Sequence, residues 1–136
     1  MGFNISNRKA GTDFERQLCA SLMDAGYWCH RMAQTAAGQP FDVIAARSGT
    51  CIPIDCKVCE KDVFPLHRVE DNQFSAMSLW RETGNGESYF ALKLSDGAVY
   101  MLSFSAILSL GNIYSSLNRR LIEQCAVPLE EWVGKP

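Results

Sequence analysis

Between Thr12 and Ala25 apolar residues recur at Phe14, Leu18, Leu22 and Ala25, the spacing of one helix face. Gly26 is a natural stop for that helix. The pattern then changes period. Tyr27 to Met32 reads as a strand, and Ala33 to Pro40 as a loop of small residues. Two short runs follow, Phe41 to Ala46 and Cys51 to Val58, with the turn signal Arg47-Ser48-Gly49-Thr50 between them. Together they predict a β-hairpin. Pro53 cannot donate to a ladder, so it belongs where the ladder is incomplete. Residues 59–68 read as a loop. A second helix is predicted from Val69 to Arg81, with Val69, Ala76, Met77 and Trp80 inward. Ser88 to Leu94 and Ala98 to Phe104 form a second hairpin around Asp96-Gly97. One or two helices end the chain. The sum is a mixed α/β fold, a mixed β-sheet flanked by helices in the order α-β-β-β-α-β-β-α.

The length of 136 residues suits one domain over residues 1–136, with 1–11 polar and flexible and 105–136 a C-terminal helical extension. No apolar run approaches the roughly 20 residues of a membrane span, and the N-terminus lacks a signal peptide's apolar block. The expectation is a cytoplasmic protein with no membrane partner and six reduced cysteines. A net charge of −2 permits nucleic-acid binding without suggesting it.

The chemistry comes from register. If the first hairpin turns between Ser48 and Gly49, Ala46 faces Cys51, Ile44 faces Pro53, and Asp42 faces Asp55. Directly opposed residues lie about 5 Å apart on one face, where two carboxylates repel each other. A divalent cation between them reverses the sign. Strand alternation puts Lys57 on the same face as Asp55 and sends Ile54 and Cys56 into the apolar layer. Oxygen ligands suit Mg²⁺, with Mn²⁺ as a substitute, and metal-activated water attacking a phosphodiester is the natural reaction. Lys57 would place a water or stabilise charge on phosphate. From spacing alone, the two aspartates read equally well as strand-end surface acids with Lys57 as salt-bridge partner. A one-residue slip would put them on opposite faces.

Phe41-Asp42-Val43-Ile44-Ala45 followed by Ile54-Asp55-Cys56-Lys57 resembles the PD-(D/E)XK nuclease core, which carries a restriction-endonuclease-like fold. Within it the chain most resembles small Holliday-junction resolvases of the archaeal and RecU types. Gly11-Thr12-Asp13-Phe14-Glu15-Arg16 resembles their opening helix, and Gly26, His30-Arg31 and Gly38-Gln39-Pro40 the link into the first acid. Phe64-Pro65-Leu66 and Gln73 resemble the RecU-type stretch that follows. The similarity covers residues 10–104. It implies a metal-dependent endonuclease that cuts branched DNA, a four-way junction first, and works as a homodimer. Asp42 and Asp55 would hold metal, Glu15 would complete the shell, and Lys57 and Gln73 would join the catalytic group. Arg31, Thr35, His67 and Arg68 would contact DNA.

The second acid is aspartate where the family more often has glutamate, and Thr35 stands in for the archaeal-type serine. Residues 33–40 leave little room for a RecU-type stalk. Glu15 also stands at capping-box spacing from Thr12, and Gln73 reads equally as a hydrogen-bonded core amide. The C-terminal apolar residues Ile107, Leu108, Ile113, Tyr114, Leu117 and Leu121 suit a dimer surface or the core. A nuclease of the same fold with another DNA target is the nearest rival, and a catalytically silent nucleic-acid-binding module is the next. Cys56-Lys57-Val58-Cys59 is a CxxC. It closes a strand and has no second ligand pair, so a zinc or redox site there is the weakest reading.

Overall fold

The first helix, α1 (Ile5–Asp24), is seven residues longer at its start than the apolar spacing predicts in the computed structural model, which describes residues 5–134. Residues 5–11, expected to be flexible, are therefore helical; residues 1–4 lie outside the described ones. Thr12 sits within the helix and caps nothing. The helix stops at Gly26, whose φ of 94° suits a residue without Cβ.

The strands are β1 (Trp28–Arg31), β2 (Val43–Arg47), β3 (Thr50–Cys59), β4 (Val63–Pro65), β5 (Tyr89–Leu94), β6 (Val99–Ser103), β7 (Ser116–Asn118) and β8 (Val127–Pro128). The later helices are α2 (Asp71–Glu82), α3 (Phe104–Leu110), α4 (Arg119–Cys125) and α5 (Leu129–Trp132), with a 3₁₀ turn at Leu66–Arg68. Six strands form one mixed sheet in the order β1-β2-β3-β5-β6-β8, with only β3 and β5 parallel. The parallel pair needs a crossover, and the segment carrying α2 supplies it.

Ser48 and Gly49 both have positive φ, 53° and 82°, as a two-residue type I′ turn requires. That turn locks the register: Ala46 pairs with Cys51, Ile44 with Pro53, and Val43 with Ile54. Pro53 does sit where the ladder is incomplete, because pairing of β3 with β5 begins one residue later at Ile54.

Alternation along β3 and β5 feeds two cores. Phe14, Leu18 and Leu22 of α1 pack on Val43, Ala45, Ile54, Ala91 and Met101. Phe64, Met77, Phe90, Leu92, Phe104 and Leu117 fill the opposite side.

The chain departs from expectation after residue 58. The segment 59–68 is not all loop: β4 pairs with β7. The described part of the C-terminal segment, 105–134, is not all helical either: α3, α4 and α5 alternate with β7 and with β8, which joins the main sheet beside β6. Ile107 and Leu117 are buried, Leu108 and Leu121 pack against that core, and only Ile113 and Tyr114 of the apolar set stay exposed. Among the described residues no helix is long and apolar enough to cross a membrane.

Candidate active site

Asp42 is the residue immediately before β2, and its backbone is tied on both sides. Its N–H donates to the Ile54 carbonyl at 3.1 Å, and its carbonyl accepts from Met32 N–H at 2.8 Å. Its side chain then does what the strand no longer can. Oδ2 accepts the Cys56 N–H at 2.8 Å, standing in for the next ladder carbonyl. Beyond that bond β2 has ended, and the edge of β3 opens on a cleft lined by Gly11, Thr12, Glu15, Lys57, Glu60 and Arg68.

Asp55, in β3, is fully buried, so the reading of a surface acid fails for it. Gln73 of α2 donates Nε2 to its Oδ1 at 2.8 Å. Lys57 Nζ lies 3.1 Å from Oδ2 and donates to Gln73 Oε1 at 3.2 Å. Nζ meets Oδ2 as a charge but off hydrogen-bond geometry, and Oδ2 accepts no hydrogen bond. Burial pushes the Asp55 carboxyl well above the usual range; the charge of Asp42 adds to this, and the Lys57 ammonium opposes it. Two ionised carboxylates side by side in a buried site repel each other strongly. One lysine does not balance that pair.

Glu15 points inward from α1 and is buried, which removes the helix-cap reading. Burial raises its pKa first and Asp42 second, while Arg31 lowers it. Arg31 Nη2 stands 3.3 Å from Glu15 Oε1, so this arginine is engaged with a site acid. Among the described residues no three His, Cys, Asp or Glu side chains converge tightly enough to enclose a cation. Glu15 therefore stands near the aspartate pair without joining it.

The other sequence candidates divide. Gln73 is buried in the site, and its Oε1 also accepts the Glu70 N–H, closing the start of α2 as a capping box. Arg68 lines the cleft while Nη1 donates to the Val58 carbonyl at 2.9 Å, bracing β3. Thr35 is exposed, its hydroxyl spent on the Gly38 carbonyl at 3.0 Å. His67 is exposed on the 3₁₀ turn, outside the residues lining the cleft. Cys56 packs with the α1-side core and Cys59 with the opposite one, so the CxxC thiols cannot meet.

Sequence reasoning named Gln39 only within the link Gly38-Gln39-Pro40 and passed over Asn72. Gln39 Nε2 donates to Asp42 Oδ1 at 3.2 Å, and Asn72 Nδ2 to the Gln39 carbonyl at 3.1 Å. An amide three residues before the first acid is a faint signal; the link to α2 leaves none.

The donor set fits a hard divalent cation. Asp55 Oδ2 is buried and meets the Lys57 ammonium at 3.1 Å without accepting a hydrogen bond, a second carboxylate lies beside it, and the acids offer oxygens while burial keeps the neighbouring Cys56 thiol protonated. Two carboxylate ligands would leave most of a shell to water and phosphate, a division that suits Mg²⁺.

The family model described as archaeal Holliday junction resolvase (Hjc) matches residues 6–136. No curated protein matches the chain. Among solved structures, Hjc of Archaeoglobus fulgidus, a Holliday junction resolvase from an archaeal hyperthermophile, superposes with a TM-score of 0.70 at 24% identity. The match covers 93% of this chain and 98% of that one.

Proposed function

The chain belongs to the archaeal Holliday junction resolvase family, and from that membership we propose that it cuts four-way DNA junctions by Mg²⁺-assisted hydrolysis on Asp42 and Asp55. The observation that carries the reading is the facing, buried aspartate pair with Lys57 3.1 Å from Asp55 Oδ2. Buried like charges without enough counter-charge are costly to keep, and a cation supplied from solution makes them useful.

Asp42 and Asp55 would hold the ion, with Glu15 reaching it through water. A bound Mg²⁺ polarises phosphate and lowers the pKa of attached water. The protein's own groups do the rest. Lys57, fixed between Asp55 and Gln73, offers its ammonium to the phosphate oxygen on which charge develops. Gln73 holds Asp55 in one rotamer with a 2.8 Å bond. Arg68, held in the cleft by the Val58 carbonyl, would meet a neighbouring phosphate. Arg31 orients Glu15, and Thr35 and His67 are outlying backbone contacts at most.

A homodimer suits the paired strands of a four-way junction. Ile113 and Tyr114, exposed beyond α3, are the C-terminal apolar residues left for such a contact.

The test is cleavage of a synthetic four-way junction beside linear duplex, with Mg²⁺ or EDTA. Paired symmetrical cuts in the junction, lost in EDTA, are expected. Equal cutting of linear duplex would keep the nuclease and remove the junction specificity. No cutting of either DNA with Mg²⁺ or Mn²⁺ would leave a binding module.

A further inference from the structure

The two aspartates are held in parallel ways. Each carries a side-chain amide on Oδ1: Gln73 on Asp55 at 2.8 Å, Gln39 on Asp42 at 3.2 Å. Gln73 belongs to the first turn of α2. Gln39 does not; it lies in the loop between β1 and β2. The loop is fastened to that same turn of α2, because Asn72 donates to the Gln39 carbonyl at 3.1 Å. Gly38 makes the approach possible. Its φ is 82°, and a Cβ there would stand 3.2 Å from Asn72 Nδ2. Two neighbouring residues of one helical turn thus reach both acids, Gln73 directly and Asn72 through Gln39.

The chemistry of the two oxygens separates their roles. Asp42 Oδ2 is committed to the Cys56 N–H, which fixes the carboxylate against β3. Oδ1 retains free lone-pair directions, and the Gln39 amide sets where they point. Without it the carboxylate can pivot about the Oδ2 bond and carry Oδ1 out of its place. An uncharged donor suits this role, since it aims the oxygen without neutralising it, whereas a lysine there would compete with the cation for the same charge.

We propose that Gln39 is a positioning residue that aims Asp42 at the cation, and that Asn72 acts through Gln39 to couple this aim to α2. The inference rests on the metal-site reading of the aspartate pair. It gives the loop between β1 and β2 a defined role, the presentation of Asp42 in one orientation. It also makes α2 the element that sets the geometry of both acids together.

The experiment is Mn²⁺ binding to the intact chain without DNA, followed by the Mn²⁺ dependence of junction cleavage. Groups that orient metal ligands typically contribute ten- to hundredfold in affinity. Gln39→Ala is therefore expected to weaken Mn²⁺ binding about tenfold or more. Its cleavage should approach the wild-type rate at saturating Mn²⁺, with unchanged melting temperature. A loss that saturating Mn²⁺ does not restore would overturn the positioning role. Asn72→Ala should shift affinity the same way by less, and Gln39→Ala/Asn72→Ala should be no worse than Gln39→Ala alone, because one acts through the other. Additive losses would overturn the relay. Unchanged Mn²⁺ affinity in Gln39→Ala, beside a wild type that binds Mn²⁺ and an Asp42→Ala that does not, would sink the inference alone. Equal Mn²⁺ binding by wild type and Asp42→Ala would sink the metal-site reading beneath it.

Discussion

Two groups of carboxylates in this molecule have opposite electrostatic fates. On the surface, Asp62, Asp96 and Glu123 gather around Arg119, whose guanidinium reaches them at 3.7, 2.8 and 2.9 Å. Hydrogen bonds from Ser95 and Ala98 depress the Asp62 and Asp96 carboxyls below their ordinary value, with Arg119 assisting. Under α2 and α1, Asp55 and Glu15 are pushed the other way, by burial first and by Asp42 second. The surface group is a finished structure: solvent and one arginine satisfy its acids while it ties α4 to the turn after β5. The buried group is unfinished. Folding has desolvated acids for which the chain supplies too little positive charge, and such an imbalance is what a site for an added cation looks like.

Substitutions in the two groups should therefore part company. The largest effect is expected from Asp55→Asn, which should remove junction cleavage below detection in a gel assay. The same change relieves a buried charge and keeps an acceptor for Gln73, so the melting temperature of the metal-free chain should hold or rise. A melting temperature several degrees lower would place Asp55 among structural acids.

Lys57→Met should lower the cleavage rate by roughly 10²- to 10³-fold, the scale of removing one charge-stabilising donor. Single-turnover rates at saturating Mg²⁺ would measure it, and a rate within a factor of a few would deny Lys57 its role.

The pH dependence of stability separates the groups further. Asp55 and Glu15 have raised folded-state pKa values. Their stabilising contribution is full below their unfolded values, near pH 4, and is lost as pH rises through the raised folded values. The metal-free protein should then gain stability from these acids as pH falls through their raised folded values toward about 4, and Asp55→Asn should flatten that trend in thermal melts. Asp62 and Asp96, with depressed values, give stability above about pH 4 that is lost as pH falls through their folded values.

The smallest effect belongs to Arg119→Ala. It should leave cleavage unchanged and lower the melting temperature slightly, more at low salt than at high, because exposed ion pairs are weak and screened. A clear loss of cleavage would tie the surface cluster to function.

What the sequence revealed tracks where periodic signals were strong. The Ser48-Gly49 turn has a two-residue geometry that fixes register, so the facing of Asp42 and Asp55 could be counted from the chain. The separation of the Cys56 and Cys59 thiols was not read there, because residue 59 was assigned to a loop and only the extension of β3 to Cys59 puts the two on opposite faces. Short strands were illegible. Three residues at Val63–Pro65 and two at Val127–Pro128 carry no period, and tertiary pairing alone makes them strands. The early start of α1 was hidden because Ser6, Asn7, Arg8 and Lys9 show no apolar face. Gln39 was named only as part of the link into Asp42 and Asn72 not at all, because their partnership exists only after the loop and α2 have met.

The most direct test of the contrast is thermal unfolding at pH 8, with and without Mn²⁺, of the wild type, Asp55→Asn and Asp62→Asn. A ligand that binds only the folded state at a hundred times its dissociation constant adds about 2.7 kcal/mol, several degrees for a chain of this size. That rise is expected in the wild type and in Asp62→Asn, and none in Asp55→Asn. An equal rise in all three would mean the cation binds elsewhere, and the buried aspartates would lose their claim to it.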